Sequence, residues 1–248
     1  GSAYLVVVTT NSAVQNGLNL LTAYAQAKTL TPNGMGRSAT NRAAVILPPA
    51  VYDLQSSQIV MDGEFVDLIG LSPARDNQFI VSDSSPVGYG FGGLLRQTAN
   101  DVRIHNLIVH LKRSEYDLLH NDDDSAAYFP DSNKPATQVR NCEFRGMGPE
   151  FLTEDPYPRF SGSWSMRVSI VYSGTYTDCV ASGEALSGCG ESPGSGDAAF
   201  GGVLGAASGT FTNCTGGLMS FGGDGTASGR FVDCTGGRVS FGGDGTAS

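Results

Sequence analysis

Positive charge is scarce in this chain. Fifteen Lys and Arg stand against 24 Asp and Glu in 248 residues, a formal net charge of −9. A nucleic-acid binder neutralises phosphates with clustered Lys and Arg, so the balance argues against that partner. Long apolar runs are also missing. None approaches the roughly 20 residues a helix needs to cross a bilayer, so no membrane partner is expected. The five cysteines are odd in number and contain no CxxC pair, which weakens both a zinc site and a full disulfide framework. There is one Trp, and no signal peptide. The Gly1-Ser2 start without Met reads as a cloning remnant, leaving the native terminus and the compartment open.

Glycine is plentiful, with 34 residues, and it follows a period. Residues 209–228 read GTFTNCTGGLMSFGGDGTAS and residues 229–248 read GRFVDCTGGRVSFGGDGTAS, with 15 of 20 positions identical. A short period that keeps its Phe, Cys, Gly and Asp in place is the mark of a solenoid, in which each repeat stacks on the last. Glycine that follows the repeat implies turns and not disorder.

Upstream, Tyr4 to Thr9 reads as a strand and the next segment as a helix ending near Lys28. Ser12 with Gln15 forms a capping box, and Val14, Leu18, Leu21 and Ala25 follow at helical spacing. Such a helix would cover the open end of a strand stack. From Ala43 the chain turns to strand-length apolar runs, among them Ala44-Val45-Ile46-Leu47, Val66-Asp67-Leu68-Ile69 and Gln78-Phe79-Ile80-Val81, with no room for crossover helices. A four-residue signature then recurs: an apolar residue, a variable one, Asn or Asp, and a small apolar one. It centres on Asn106, Asn141, Asp178, Asn213 and Asp233. Asn and Asp tolerate left-handed backbone, so each is expected to be a one-residue bend between two strands. Stacked layers about 4.8 Å apart would align Phe211 with Phe231 and Phe221 with Phe241. The same stacking would make Cys142, Cys179, Cys214 and Cys234 an internal ladder of small hydrophobes. Cys189, outside the pattern on a Gly-rich stretch, is the better candidate for an accessible thiol.

With this helix, the 43–71 segment (RAAVILPPAVYDL…FVDLIGLSP) and the Asn/Asp–Cys signatures, the chain resembles the pectin-lyase-like superfamily. The resemblance implies an all-β, right-handed parallel β-helix of about 20 residues per rung with an N-terminal capping helix. The segments read as one domain: a strand and helix cap over 1–42, rungs with insertions over 43–205, and regular 20-residue repeats over 206–248. The resemblance also favours an extracellular or cell-surface location. Neither the clustered calcium-binding aspartates of the superfamily's lyases nor the converging aspartates of its polygalacturonase-like members are found, so no catalytic residue carries over.

Intervals between signatures lengthen from 20 residues at the C-terminal repeats to 35–37 earlier. Each long interval holds either an insertion, at roughly 112–135, 146–162 and 182–196, or two shortened rungs. Insertions at equivalent points emerge on one face, often a binding face. The first holds Arg113, His120, Asp122, Asp123, Asp124 and Tyr128. The second holds Glu154, Asp155, Tyr157 and Arg159, with Trp164 just beyond. Carboxylates beside aromatic faces suit a sugar cleft, with Arg113, Tyr128, Tyr157 and Trp164 as contacts and the ionisable groups as acid and base. The same residues also populate ordinary polar loops. Asp122 to Asp124 offer oxygen to Ca²⁺, but three adjacent aspartates lack a calcium loop's spacing and read better as a solvated turn, so no cofactor is expected. Arg103, His105 and His110 should point outward from a strand pair, a row able to bind an acidic sugar. The expectation is a non-catalytic scaffold that contacts polysaccharide. The alternative is a polysaccharide lyase or glycoside hydrolase using the 112–135 and 146–162 loops. The 248-residue chain stops at a repeat end with no polar cap, which reads as a truncated or engineered solenoid able to associate end to end.

Overall fold

A computed structural model describes residues 2–82, 93–111, 126–131, 133–147, 164–166, 171–184, 200, 206–217, 220–222, 226–237, 240–241 and 246–247. The chain opens with a strand, Ser2–Val6, and a helix, Ala13–Ala27 (α1). Ser12 caps α1, its Oγ accepting from the Gln15 backbone N–H at 3.2 Å, which satisfies one of the amides a helix start leaves open. The reciprocal half of the capping box is not made. The Gln15 side chain turns forward to Asn19 Oδ1 (3.0 Å), and the Ser12 N–H is held by Thr10 Oγ1 (3.1 Å).

The buried face of α1 also differs from the expected one. Asn16, Gly17, Leu20, Ala23, Tyr24 and Ala27 are buried, whereas Leu18 is 51% exposed and Ala25 is exposed. Gly17 sets this rotation. A Cβ there would run into the carbonyl of Asp53, so glycine lets the helix lie directly on the Ala50–Asp53 strand.

Apart from two 3-10 turns, Pro32–Gly34 and Arg75–Asn77, the remaining regular elements of the described chain are β-strands, and their sheets are parallel. Sheet I has eight strands in the order Ser2–Val6, Arg42–Leu47, Val66–Gly70, Arg103–His105, Gln138–Arg140, Thr175–Thr177, Thr210–Thr212 and Arg230–Val232. Sheet II runs Ala50–Asp53, Gln78–Ser82, Ile108–Leu111, Glu143–Met147 and Val180–Glu184. Sheet III holds Ile59–Met61, Gly93–Gln97, Ala126–Pro130 and Trp164–Met166. Sheet IV holds Val171–Tyr172, Ala206–Ala207, Thr226–Ala227 and Thr246–Ala247. From Arg42 to Met166 the chain visits sheets I, II and III in turn, four times over, an order compatible with a β-helix. Ile104 pairs directly with Val139, Val139 with Tyr176, and Tyr176 with Phe211. Each long interval is therefore a single layer, and the two-shortened-rungs alternative falls.

Five residues bend the chain just after a sheet I strand: Asn106, Asn141, Asp178, Asn213 and Asp233, with φ of 59°, 50°, 55°, 50° and 53°. The first three lead into sheet II strands, and the last two lead to Thr215 and Thr235, which continue that sheet as single bridges. Their backbone N–H groups do not point to solvent. Each of the first four donates to the carbonyl preceding the next bend, as Asn106 N to Arg140 O (3.1 Å) and Asn141 N to Thr177 O (2.9 Å). The side chains extend the ladder: Asn141 Nδ2 donates to Asn106 Oδ1 (3.0 Å) and Asn213 Nδ2 to Asp178 Oδ1 (2.8 Å). Close stacking also fixes glycine at 209, where a Cβ would collide with the Gly174 carbonyl.

Inside, Tyr176, Phe211 and Phe231 form one face-to-face column, with centroids 5.1 and 5.2 Å apart. Phe200, Phe221 and Phe241 form a second, at 4.8 and 4.9 Å. The two columns meet edge to face at 5.3 to 5.7 Å, and aromatic pairs of this kind add about 0.5–1.5 kcal/mol each beyond burial. Phe200, Phe221 and Phe241 themselves have positive φ (49°, 53° and 58°), which costs a bulky residue about 1–2 kcal/mol. Stacking and burial offset that strain. Cys142, Cys179 and Cys214 are buried behind the bends, each Sγ donating to a carbonyl two residues back at 3.2 to 3.4 Å.

The bend column makes a direct prediction. Asn141→Ala loses the amide's bonds to Asn106 and to Pro73 O (2.7 Å) and places a Cβ residue at positive φ. It should cost about 1–3 kcal/mol in urea unfolding. Asn141→Gly should recover the strain but not the hydrogen bonds, and so fall between.

Candidate functional site

One cleft, of about 480 Å³, lies at the start of α1 and is lined by Thr9, Thr10, Asn11, Asn16, Pro49 and Val51 among others. Its buried polar side chain, Asn16, is already saturated. Nδ2 donates to Thr10 O (3.2 Å) and Val51 O (3.1 Å), and Oδ1 accepts from Thr10 N (2.6 Å) and Thr10 Oγ1 (3.1 Å).

Ionisable groups form two outer clusters. On sheet II, Glu143 bridges Arg145 (2.6 Å) and Arg75 (3.8 Å), and the Arg145 guanidinium lies 5.8 Å from the Phe79 ring centre. Arg75 also donates to Asp178 O (3.2 Å), while Pro73 O receives Asn141 and Gly70 O receives Asn106 (3.1 Å). The segment after sheet I's third strand is thus tied along the bend column. These charges are engaged with one another, and their role is to hold that segment down.

The second cluster is on sheet I. Strand alternation turns Ile104, Val139 and Tyr176 inward, so their neighbours face out. In register these neighbours are Arg103 with Gln138 and Thr175, and His105 with Arg140 and Thr177. Beneath them Arg42, 4% exposed, holds Asp67 through two bonds (Nε 2.8 Å, Nη2 2.6 Å) and lies 2.9 Å from Asp101. Asp67 also accepts from the Arg103 backbone N–H (2.9 Å). Burial pushes the half-buried His105 imidazole below its ordinary value; Asp67 pulls it up, and Arg103, Arg140 and Arg42 push it down again.

Several sequence-derived candidates move. Tyr128 is not a ligand contact. Ala126–Pro130 is a strand between Gly93–Gln97 and Trp164–Met166, which turns Tyr128 into the core. There its ring stacks on Phe144 (5.0 Å) and its hydroxyl donates to Gln97 Oε1 (2.5 Å). The 112–135 insertion is correspondingly shorter than expected. His105 and His110 do not form one row, because the Asn106 bend sends His110 to sheet II, opposite Arg145. Trp164 starts a strand of sheet III. Arg113, His120, Asp122, Asp123, Asp124, Glu154, Asp155, Tyr157, Arg159 and Cys189 lie outside the described residues. Arg140 and the threonines were missed. The signal for them was present, since a polar residue flanks the inward apolar one in Gln138-Val139-Arg140 and Thr175-Tyr176-Thr177.

Burial pushes the Cys142 thiol up to about 12, and the bond to Cys179 together with burial raises Cys214. Neither is suited to thiolate chemistry. Among the described residues no group of three or more His, Cys, Asp or Glu could hold a metal ion, and no helix is long and apolar enough to cross a membrane. Compared with family models, curated proteins and solved structures, the chain matches none.

The lowered His105 pKa predicts a pH effect. Above its unfolded value of 6.5 the imidazole is neutral in both states and costs nothing. As pH falls below that value the unfolded chain takes up the proton first, so stability is lost until pH passes the lowered folded value. In urea titrations across this window, His105→Gln should lose less stability than the parent.

Proposed function

We propose that the chain is a right-handed parallel β-helix, similar in architecture to the pectin-lyase-like superfamily, that works as a non-catalytic scaffold contacting polysaccharide on its outer surface. The observation that carries this reading is the unbroken parallel register of sheet I, in which Ile104, Val139, Tyr176, Phe211 and Phe231 lie in one inward column. Parallel strands that bend at a left-handed Asn or Asp in five successive layers are accounted for most simply by a coil that advances one layer per turn. The right hand follows from the strong preference of parallel crossovers for that sense. Among the described residues the inward aromatic side chains stack on one another, which turns attention to the outer faces. Outward Thr and Gln side chains on sheet I supply hydroxyl and amide groups of the kind that pair with sugar hydroxyls.

Affinity electrophoresis through gels containing acidic or neutral polysaccharides, with parallel assays for new reducing ends and unsaturated products, tests the proposal. Retardation without product is the expected result. Product release would overturn the non-catalytic reading in favour of a polysaccharide lyase or glycoside hydrolase. Free migration in every gel would remove the polysaccharide contact.

A further inference from the structure

The first strand, Ser2–Val6, is an outer strand of sheet I. Arg42–Leu47 lies on one side of it and no described strand lies on the other. The phase of its backbone follows from its continuation. Val7 donates its N–H to Ile46 O (2.9 Å), so Ala3, Leu5 and Val7 turn their amides and carbonyls toward Arg42–Leu47. Ser2, Tyr4 and Val6, one residue out of step, turn theirs to the open side. Beyond Val6 the edge is closed, because Val8 O accepts from Asn19 Nδ2 of α1 (2.8 Å). Side chains alternate in the same way. Leu5 packs on the core and Val7 is buried, whereas Tyr4, Val6 and Val8 are 66%, 52% and 70% exposed.

An unpaired, apolar strand edge is a template for another strand, and Lys, Pro or a bulge ordinarily blunts it. Residues 2–8 read SAYLVVV, with neither Lys nor Pro, and the pairing to Arg42–Leu47 runs without a bulge. Charge is absent over a longer stretch. Residues 1–27 contain no Asp, Glu, Lys, Arg or His, in a chain of net charge −9. That stretch includes α1, which lies on the outer strand of sheet II at the same end of the molecule. Its exposed residues are Gln15, Leu18, Thr22, Ala25 and Gln26.

We infer that this edge pairs with the same edge of a second copy of the chain, antiparallel about a two-fold axis, so that the two sheets I become one. Charge selects the occupant. A two-fold contact sets a patch against itself, and two chains of net charge −9 repel. The uncharged end is where they approach at least cost. The open groups select the register. Setting Tyr4 against Tyr4 of the second copy, and Ser2 against its Val6, makes each a pair that exchanges both backbone bonds, so every open amide and carbonyl is used. A register centred on Leu5 would set Ser2 against Val8, whose carbonyl Asn19 already holds. The pairing consumes the edge of both copies, so association stops at two.

The test is sedimentation of the full chain across a wide concentration range near neutral pH. A dimer of the 25.8 kDa chain that dissociates on dilution is expected. Tyr4→Lys sets two like charges across the axis and should weaken dimerisation about tenfold to hundredfold with an unchanged circular dichroism spectrum. Gln138→Lys, which adds the same charge to an exposed position away from the edge, should not. Paired Cα atoms about 5.5 Å apart are within disulfide reach, so under mild oxidation by oxidised glutathione Tyr4→Cys should give a cross-linked dimer and Val6→Cys should not. A monomer at every concentration would overturn the dimer and leave the proposed polysaccharide contact standing. A dimer undiminished in folded Tyr4→Lys would overturn the edge as its interface. Assemblies that keep growing with concentration would overturn the closed two-fold, and cross-linking through Val6→Cys in place of Tyr4→Cys would overturn the register.

Discussion

The left-handed bend at Asn106, Asn141, Asp178, Asn213 and Asp233 is the constraint on which the rest depends. One residue at positive φ turns the chain sharply enough for a sheet I strand to become a sheet II strand without a loop. The turn repeats at the same point of the five layers from Asn106 to Asp233, so the strands on either side stay in register and their side-chain alternation stays in phase. A slip of one residue at any bend would turn the Ile104–Phe231 column to solvent and expose the cysteines behind it. The bends also hold one another, since the amide protons of the first four are bound by the next layer. Regularity is therefore enforced by backbone bonds before any side chain contributes.

Given that regularity, the interior becomes a set of columns. Each buried Phe or Tyr contributes about 1.5–3 kcal/mol through burial, and like residues stack because identical positions face each other one layer apart. The aromatic columns are dense enough to hold Phe200, Phe221 and Phe241 in a conformation that bulky residues avoid. The same geometry explains the surface. Inward positions are filled by apolar groups, so charge is confined to outward columns, and on sheet I two of these columns carry arginines unpaired among the described residues, Arg103 and Arg230 in one and Arg140 in the other.

The bends, the cysteine positions and the Phe211–Phe231 alignment could be read from the sequence because they repeat at matching offsets, and a repeat is a one-dimensional signal. The rotation of α1 could not. It is set by contact between Gly17 and the Asp53 carbonyl, and apolar spacing pointed instead to the Leu18 side. Tyr128 was misread for a similar reason: its strand lies within a polar stretch, and only pairing with Leu95 and Met166 turns it inward. The basic face was half visible. Arg103 and His105 flank a signature residue, but Arg140 belongs beside them only because residues 35 apart become neighbours across the sheet.

The bends at Asn106, Asn141, Asp178 and Asn213 are bonded to the next layer and are not exposed turns. Residue-resolved amide hydrogen exchange measures this directly. The N–H groups of Asn106, Asn141, Asp178 and Asn213, bound to carbonyls at 2.8 to 3.1 Å, should exchange as slowly as the strand amides of sheet I. Exchange at the rate of an open loop at these four residues, with sheet I still protected, would contradict the account.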